Sequence, residues 1–470
     1  MKSTLSKKKN RIIIVLSISV LFLVVGVFLM SNRGSYEFRN NEMDFARFFD
    51  DPGLLYGETL TIAINEPTKT RMSLQALSQS FMRNHPGVNI EFVPLPTVAG
   101  RWSWQIHSEF LRDGLMTGNA PVLFCSAGGF LDTTDPRVNR FFADWLLLMQ
   151  ADPDFNEEKY FMNMLNFTIQ QNSMPTWPLF AQHIFFAPNN SIPGLAEAVA
   201  ELGGLSIEDL FYLHYVFADN NFFISPNFSP IFATNMSIDL FLDKESGMVN
   251  FSGSDFIDFI AQAASLTSPN MGQIPQLPPA IPIEPMRERM IWHEYLFINA
   301  PFYQFAAPTA EPLFGQPVPI VNNRREPILL GNGDLIINES ASPAQQVLAW
   351  KFVKYAARAM GQDISPNSIS IPTYRPAFRQ HLEMDLPDIF DFMIANFGWN
   401  PILPENEMID ELYSFINFFG NKPGAANFIG MPFNIIINEV LSNFQAGLIT
   451  AHEAADSLQN RLSLIMMERN

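Results

Sequence analysis

The sequence predicts an α/β fold with a parallel sheet, because residues 59–93 have the pattern of a strand, a helix and a second strand. Residues 60–64 are apolar and rich in β-branched side chains, as in a buried strand. The predicted helix has its apolar positions at Met72, Leu74, Leu77 and Phe81, and the triplet His-Pro-Gly at 85–87 ends it. Residues 88–93 then alternate in polarity as a half-buried strand. Parallel sheets of this kind bind ligands at the carboxyl ends of their strands.

The middle of the chain predicts short elements around a long irregular segment. Breakers at 118–121 lead into a short buried strand, Val122–Cys125, and residues 145–149 predict a helix end or a tight loop. Twelve prolines between residues 269 and 327 argue against long regular elements there, except around 289–297. That segment predicts an extended surface excursion. Residues 331–334, Gly-Asn-Gly-Asp, lie between apolar runs and predict a hairpin turn.

The C-terminal part predicts helices. Pro343 suits the first position of a helix that Gly361 ends. Further helices fit residues 387–397, 404–419 and 432–446. Thr450 and Glu453 have the spacing of a capping box for a last helix that reaches about residue 468.

Residues 1–31 predict a membrane anchor. Five cationic residues precede an apolar run from Ile12 to Met30, and its nineteen residues match the thickness of a bilayer core. The cationic excess places the N-terminus in the cytoplasm and the rest of the chain outside. A cleaved signal peptide is the alternative, but the run is long and ends without a small-x-small cleavage pattern. No cysteine directly follows the run, which excludes attachment through a diacylated cysteine.

Composition and charge exclude several classes of protein. A net charge of −18 argues against nucleic acid, whose phosphates need a basic face, and against adhesion of the main body to anionic lipid. The apolar fraction of 47% allows large cores, and 44 Phe make those cores aromatic-rich. The single cysteine, Cys125, excludes an intrachain disulfide and is expected to be a small buried residue.

Motifs for catalysis or metal binding are weak. His293-Glu294 and His452-Glu453 each begin like a zincin motif but lack its second histidine. The sequence has no Gly-x-Ser-x-Gly elbow and no P-loop, and its seven histidines are scattered. We therefore expect no catalytic residue, no metal ligand and no cofactor.

Four stretches in this order resemble extracellular solute-binding protein family 1, the maltose-binding-protein-like family that delivers carbohydrates to ABC importers. The stretches are TLTIAINEP with FMRNHPGVNIEFVPL; NAPVLFCSAGGF with FADWLLLMQADPDFNEEKYF; MPTWPLFAQHIFFAPN; and LLGNGDLIINESASPAQQVLAWKFVKYAAR. The ending, FNIIINEVLSNFQAGLITAHEAADSLQNRL, is similar to the family's last helices. The resemblance covers residues 58–468. The chain departs from the family pattern in its proline-rich insertion and in TWPL at the first crossing.

The resemblance implies a periplasmic-binding-protein-like fold of type II, in which crossover hinge segments join two α/β lobes. Before this fold, the residues themselves predict a cytoplasmic tip and transmembrane helix over residues 1–31 and a polar tether over 32–57. The N-terminal lobe would comprise 58–180 with 302–340, and the C-terminal lobe 181–301 with 341–470. Ligand would lie in the cleft between the lobes, which closes about the hinge.

Candidate ligand-binding residues follow from position in this arrangement. Sugar sites place aromatic faces against the apolar side of the ring and fix the hydroxyls with a few polar groups. Residues that follow predicted strands or begin the next helix are Glu66, Trp102, Trp104 and Ser126. Residues near predicted crossings or in a late helix are Trp177, Trp292, Tyr295 and Phe433. A core position is the alternative for each aromatic, and a solvated loop charge is the alternative for Glu66.

These observations predict a monomeric binding protein without enzymatic activity. A single-pass anchor would hold it at the cell membrane with its body outside, where it would present an oligosaccharide to ABC importer permease subunits. A membrane-tethered ligand sensor of the same fold is one alternative. A surface glycan-processing enzyme is the other, and it would need two carboxylates about 5–10 Å apart in the cleft.

Overall fold

The computed structural model describes much of the chain after residue 43. The described residues are 44–64, 74–96, 103–125, 135–166, 168–169, 172–188, 190, 192–217, 223–224, 228–243, 246–266, 290–294, 306–307, 315–363, 371–384, 400–401, 405–420, 425–426 and 431–469. The predicted anchor at 12–30 and the predicted helix at 387–397 lie outside them. No helix in these ranges is long and apolar enough to cross a bilayer.

Helices make up much of this part of the chain. They are α1 (Ala46–Asp50), α2 (Leu74–Asn84), α3 (Ser103–Thr117), α4 (Pro136–Asn139), α5 (Trp145–Ala151), α6 (Met162–Asn166), α7 (Leu195–Leu202), α8 (Ile207–Val216), α9 (Pro230–Met236), α10 (Ser254–Ser265), α11 (Pro343–Asp363), α12 (Glu405–Gly420), α13 (Met431–Gln445) and α14 (Ala451–Arg469). Residues 375–384 are also helical. The predicted capping box of α14 is confirmed, since Thr450 Oγ1 accepts from Glu453 N at 3.2 Å and Glu453 Oε2 accepts from Thr450 N at 2.7 Å. Residues 145–151 form a full helix, which Asp144 caps by accepting from Leu146 N at 2.9 Å.

Strands alternate with these helices in the first half of the chain and are mostly short elsewhere. They are β1 (Thr59–Ile64), β2 (Asn89–Pro94), β3 (Leu123–Cys125), β4 (Trp177–His183), β5 (Phe185–Ala187), β6 (Phe223–Ile224), β7 (Leu242–Asp243), β8 (Met248–Val249), β9 (Met290–Glu294), β10 (Ala306–Ala307), β11 (Val318–Pro319), β12 (Ile328–Ile337), β13 (Ile371–Pro372), β14 (Asn400–Pro401) and β15 (Ala425–Ala426). The element expected near 289–297 is therefore the strand β9, and most of the proline-rich segment around it lies outside the described residues.

The larger sheet has seven strands and contains the predicted parallel unit. Its order is β13-β4-β12-β3-β1-β2, with β15 beside β12. β1 pairs in parallel with both β2 and β3, which confirms the strand-helix-strand prediction. β12 runs antiparallel to β3 on one side and to β4 on the other. Helix α2 connects β1 to β2 and buries Leu74, Leu77 and Phe81, three of the four predicted apolar positions.

The smaller sheet has four strands in the order β11-β5-β9-β6. β5 pairs antiparallel with both β11 and β9, and β6 pairs in parallel with β9. Two further antiparallel pairs, β7-β8 and β10-β14, stand apart from both sheets.

Each sheet has its own hydrophobic core. The first core lies on one face of the larger sheet and includes Leu60, Ile62 and Trp350. A smaller cluster on the other face includes Ala63, Phe124 and Ile336 beside residues of α3. The second core surrounds the smaller sheet and includes Phe186, Leu210, Phe256 and Ile437; its helices come from both the middle and the end of the chain. Burial of a large apolar side chain contributes about 1.5–3 kcal/mol, so each core stabilises the sheet that it contacts.

The cores correct three boundaries expected from the sequence. Helix α11, assigned to the C-terminal lobe, buries Val347, Leu348 and Trp350 in the first core. Strand β11, assigned to the N-terminal lobe, pairs with β5 in the smaller sheet. The predicted tether ends earlier than residue 57, because Phe45 and other residues of 44–57 pack in the first core. An apolar stripe shows which side of an element is buried, but not which neighbour covers it.

The predicted hairpin at 331–334 is wrong. These residues lie inside β12, a continuous strand of ten residues. Asn332 pairs with Phe180 and Asp334 with Pro178 of β4. Glycine permits a turn but does not require one, and here the ladder with β4 holds the segment extended.

Candidate functional site

The parallel strands of the larger sheet end at one common level. Ile64 at the end of β1 pairs with Pro94 at the end of β2. Ala63 pairs with Phe124, so Ile64 also lies level with Cys125, the last residue of β3. Leu335 of β12 pairs with Cys125. We call this level the carboxyl edge, and it is the edge at which open α/β sheets bind their ligands.

Two strands continue past the carboxyl edge. Trp177 of β4 lies opposite Leu335, and β4 runs on to His183, which pairs with Leu329. The six residues of β4 after Trp177 therefore extend roughly 20 Å beyond the edge at the usual rise of about 3.3 Å per residue. β12 covers the same distance in the opposite direction.

The extended strands lead directly into the smaller sheet. Only Ile184 separates β4 from β5. On the return path, Ile320 N donates to Ile184 O at 2.7 Å, and Ile328 N donates to Ile320 O at 2.9 Å. β12 itself passes from one core to the other, since Ile328 belongs to the second core and Leu335 to the first.

A third segment, extended over residues 371–374 and helical over 375–384, also contacts both cores. Helix α11 belongs to the first core, and β13 follows it and pairs with β4 through Ile371 and Ala181. Ile371 and Phe378 already belong to the second core. Arg375 fastens this segment, because its Nε donates to Tyr160 O at 2.8 Å and its guanidinium lies over the Phe161 ring. In the described part of the chain, three neighbouring segments thus join the two sheets beside the carboxyl edge.

Trp177, a predicted ligand-binding residue, is a core residue instead. Its side chain is completely buried, and its ring lies 5.0 Å from Trp350 and 5.7 Å from Tyr160 in edge-to-face contacts. Trp145 packs on the same cluster at 5.8 Å from Trp177. The alternation of β4 places Trp177 on the sheet face that carries the first core, together with Leu335 opposite it.

Phe433 is the second correction. It is completely buried in the second core on the inner face of α13, together with Ile437 and Leu441. These residues are four apart, which is the spacing of a buried helix face. That periodicity is visible in the sequence and favours a core position over a cleft position.

The other six candidate ligand-binding residues remain predictions. Trp104 lies in the first turn of α3, and Trp292 lies in β9 opposite Ala187 of β5. The remaining four, outside the described residues, are Glu66, Trp102, Ser126 and Tyr295. In chain order, Glu66 follows β1, Ser126 follows β3, and Trp102 precedes α3.

Sequence reasoning missed Asp334. It is the first residue of β12 beyond the carboxyl edge, it is only 8% exposed, and burial raises the pKa of its carboxyl to about 7. A lone acidic residue within the apolar run LLGNGDLII was the available signal, but the sequence predicted a hairpin turn there. Cys125 beside this position is buried, as expected. Within the described ranges, no group of three or more acidic, histidine or cysteine side chains is placed to hold a metal ion.

Comparisons with known proteins place the chain by its structure. No protein-family model matches the sequence, and no curated protein matches it. A protein of Synechococcus sp. MITs9220, assigned as an oligosaccharide periplasmic-binding protein, has a TM-score of 0.52 at 13% identity, covering 87% of this chain and 99% of that chain. An extracellular solute-binding protein of family 1 from Alicyclobacillus acidocaldarius subsp. acidocaldarius DSM 446 has a TM-score of 0.50 at 11% identity, covering 87% and 98%.

A third similar structure comes from the directed evolution of a de novo designed esterase, with a TM-score of 0.51 at 12% identity over 88% of this chain and 99% of that chain. These similarities show that the chain has the α/β fold of periplasmic binding proteins. At sequence identities this low, structural similarity supports a shared fold but not a shared activity, since one fold can have different functions.

Proposed function

We propose that this protein is an extracellular solute-binding protein, which captures a carbohydrate between two lobes and delivers it to an ABC importer. The observation that carries the proposal is the passage of β4 and β12 past the carboxyl edge into the smaller sheet. This passage brings the carboxyl edge of one sheet to the junction with a second, separately packed sheet. A cleft at such a junction encloses a ligand on two sides.

The junction suits a hinge. We assign the described residues within 44–180 and 335–363 to an N-terminal lobe, and those within 184–329 and 371–469 to a C-terminal lobe, in the type II arrangement. Two of the connections, β4 and β12, are extended strands, so small changes in their backbone angles can rotate one lobe against the other. Ligand shifts the population toward the closed form only if it binds that form more tightly, which requires contacts from both lobes.

The class of ligand is proposed from the similar structures together with the aromatic-rich composition. One of those proteins is assigned as an oligosaccharide-binding protein. The retained candidates Trp102, Trp104, Trp292 and Tyr295 would supply aromatic faces, and Glu66 and Ser126 would bind hydroxyl groups. The binding step needs no chemistry from the protein.

The predicted anchor completes the proposal. Residues 12–30 would span the membrane once, with the body outside as a monomer. Because the first core already contains Phe45, only residues 31–43 separate that anchor from the folded body. The N-terminal lobe would therefore stay close to the membrane and to a permease within it.

Thermal unfolding with a panel of oligosaccharides tests this function. The full chain in a mild detergent would be heated alone and with maltotriose, cellotriose, xylotriose, a tripeptide or spermidine. A ligand at 100 times its Kd adds about 2.7 kcal/mol of stability, which raises the unfolding midpoint measurably. We expect a shift with one class of sugar and recovery of that sugar unchanged. Recovery of cleaved sugar would indicate a glycan-processing enzyme, and no shift with any sugar would remove the carbohydrate assignment.

A further inference from the structure

Asp334 borders a gap in the larger sheet. On the side of β12 away from β4, residues 335–337 pair with β3 and residues 328–329 pair with β15. Among the described residues, no strand pairs with 330–334 on that side. At about 3.3 Å per residue, the gap is roughly 16 Å long, and Asp334 lies at its end next to the carboxyl edge.

The described surroundings of Asp334 leave one of its two carboxyl oxygens unsatisfied. Its side chain is buried, and in the described part of the structure Oδ1 has no hydrogen-bond partner. Two residues along the same strand face, Ile336 packs with Phe124 and Ala63 in an apolar cluster. Burial raises the pKa of the Asp334 carboxyl.

A buried carboxyl oxygen without a hydrogen-bond partner destabilises the folded protein, unless a ligand binds to it. A buried polar group that lacks a partner loses its interactions with water without compensation, and native proteins contain few of them. Exceptions to the rules of stable packing are concentrated at functional sites. Leucine or asparagine would serve a purely structural role here better than an isolated carboxyl.

We propose that Asp334 is a ligand-binding residue, whose carboxylate accepts hydrogen bonds from hydroxyl groups of a carbohydrate bound at the gap in the larger sheet. This inference rests on the function proposed above and adds to that site a residue that sequence reasoning did not select. An ionised carboxylate only accepts hydrogen bonds, and neighbouring hydroxyls of a sugar are donors that match its two oxygens.

The strand next to Asp334 favours close approach of a ligand. Gly331 and Gly333 lie in the gap and carry no side chain, and glycine within a strand often marks a place where a ligand or another backbone comes near. Backbone N–H and C=O groups on an unpaired strand edge also offer hydrogen bonds. A ligand in the gap would thus meet polar groups of β12 on a floor of apolar side chains.

Titration calorimetry on the full chain in a mild detergent tests the proposal, with maltotriose, cellotriose and xylotriose as neutral probes. The variants are Asp334→Asn, which removes the charge, and Asp334→Leu, which removes every acceptor. Asp239→Asn is the control, because Asp239 is also an acid with a raised pKa, but its side chain is exposed and it lies beside the second core. Both variants of Asp334 remove an uncompensated buried charge, so we expect them to fold, which thermal unfolding would verify.

We expect the sugar that binds the wild-type chain to bind Asp334→Leu about tenfold to 100-fold more weakly, as for a lost hydrogen bond to a charged group. Asp239→Asn should bind within twofold of wild type. Wild-type affinity should also fall as the pH drops from 8 to 5.5, because protonation removes an acceptor, whereas the affinity of Asp334→Asn should stay level.

Three other outcomes would overturn the inference in distinguishable ways. If the wild-type chain binds a sugar and Asp334→Leu binds it equally at every pH, this inference fails and the proposed function stands. If the wild-type chain binds no sugar, the proposed function fails and the inference with it. If spermidine or a chitosan trimer binds and Asp334→Asn abolishes that binding, the carboxylate recognises a cation and the hydroxyl assignment is wrong.

Discussion

Lys354→Met is expected to destabilise the first core by about 3–5 kcal/mol, the usual cost of removing one partner of a buried ion pair. Lys354 Nζ forms an ion pair with Asp152 Oδ2, and the two side chains are only 10% and 2% exposed. Trp350 Nε1 donates to the same Oδ2 at 2.7 Å. The pair joins α11 to the residue that ends α5, and the substitution leaves Asp152 as a buried carboxylate without its cation.

Each part of this network has its own expected magnitude. Trp350→Phe keeps the ring but removes one hydrogen bond to a charged group, at about 1.5–3 kcal/mol. Asp152→Asn with Lys354→Met removes both charges, so the double variant should be less destabilised than the sum of the two single variants. Arg379→Met is the control, because Arg379 is 46% exposed in its ion pairs with Glu383 and Asp410 and should cost less than about 1 kcal/mol.

Urea unfolding of the full chain at pH 7 measures these differences. Tryptophan fluorescence reports on the relevant core, since Trp145, Trp177 and Trp350 all lie in it. Destabilisation by Lys354→Met of less than 1 kcal/mol, or equal effects of Lys354→Met and Arg379→Met, would refute the reasoning. Water would then reach Asp152 in spite of its burial.

Three further predictions concern stability. The pKa of Asp334 in the folded protein is about 7, above its ordinary value of 3.8. The carboxyl therefore favours the folded state below about pH 4, where it is protonated in both states, and this stabilisation is lost as the pH rises to 7. The loss in the free energy of unfolding is about 4 kcal/mol. Asp334→Asn should flatten this part of the dependence of Tm on pH, and an unchanged slope would contradict the burial of the carboxyl. Trp177→Ala should cost about 3–5 kcal/mol in urea unfolding, as a core truncation; a stable variant with lost ligand binding would instead return Trp177 to the cleft. Thr450→Ala should lower the free energy of unfolding by about 1 kcal/mol, because it removes the cap of α14. Thr450→Ser should keep most of that stability. An unchanged stability of Thr450→Ala would show that the cap is dispensable.

Local patterns predicted the elements well where neighbours in sequence determine them. β1, α2 and β2 follow from apolar periodicity and a stop signal, and the cap of α14 follows from the spacing of Thr450 and Glu453. The position of the carboxyl edge could also be predicted, because parallel strands separated by helices must end on one side. Sequence position alone was a weaker basis for site residues, since it selected two aromatics that are buried in the cores.

The amino-acid sequence by itself determined the parallel unit, the C-terminal helices that the structure describes, and the amphipathic faces that build each core. Only the tertiary structure decided that α11 packs in the first core, that β12 continues through two glycines, and that Asp334 lies buried beside a gap. The physical reason is the range of the interactions. Periods of 3.6 and 2 residues record which side of an element is buried, whereas its partner, its register and the access of water depend on strands that are distant in sequence.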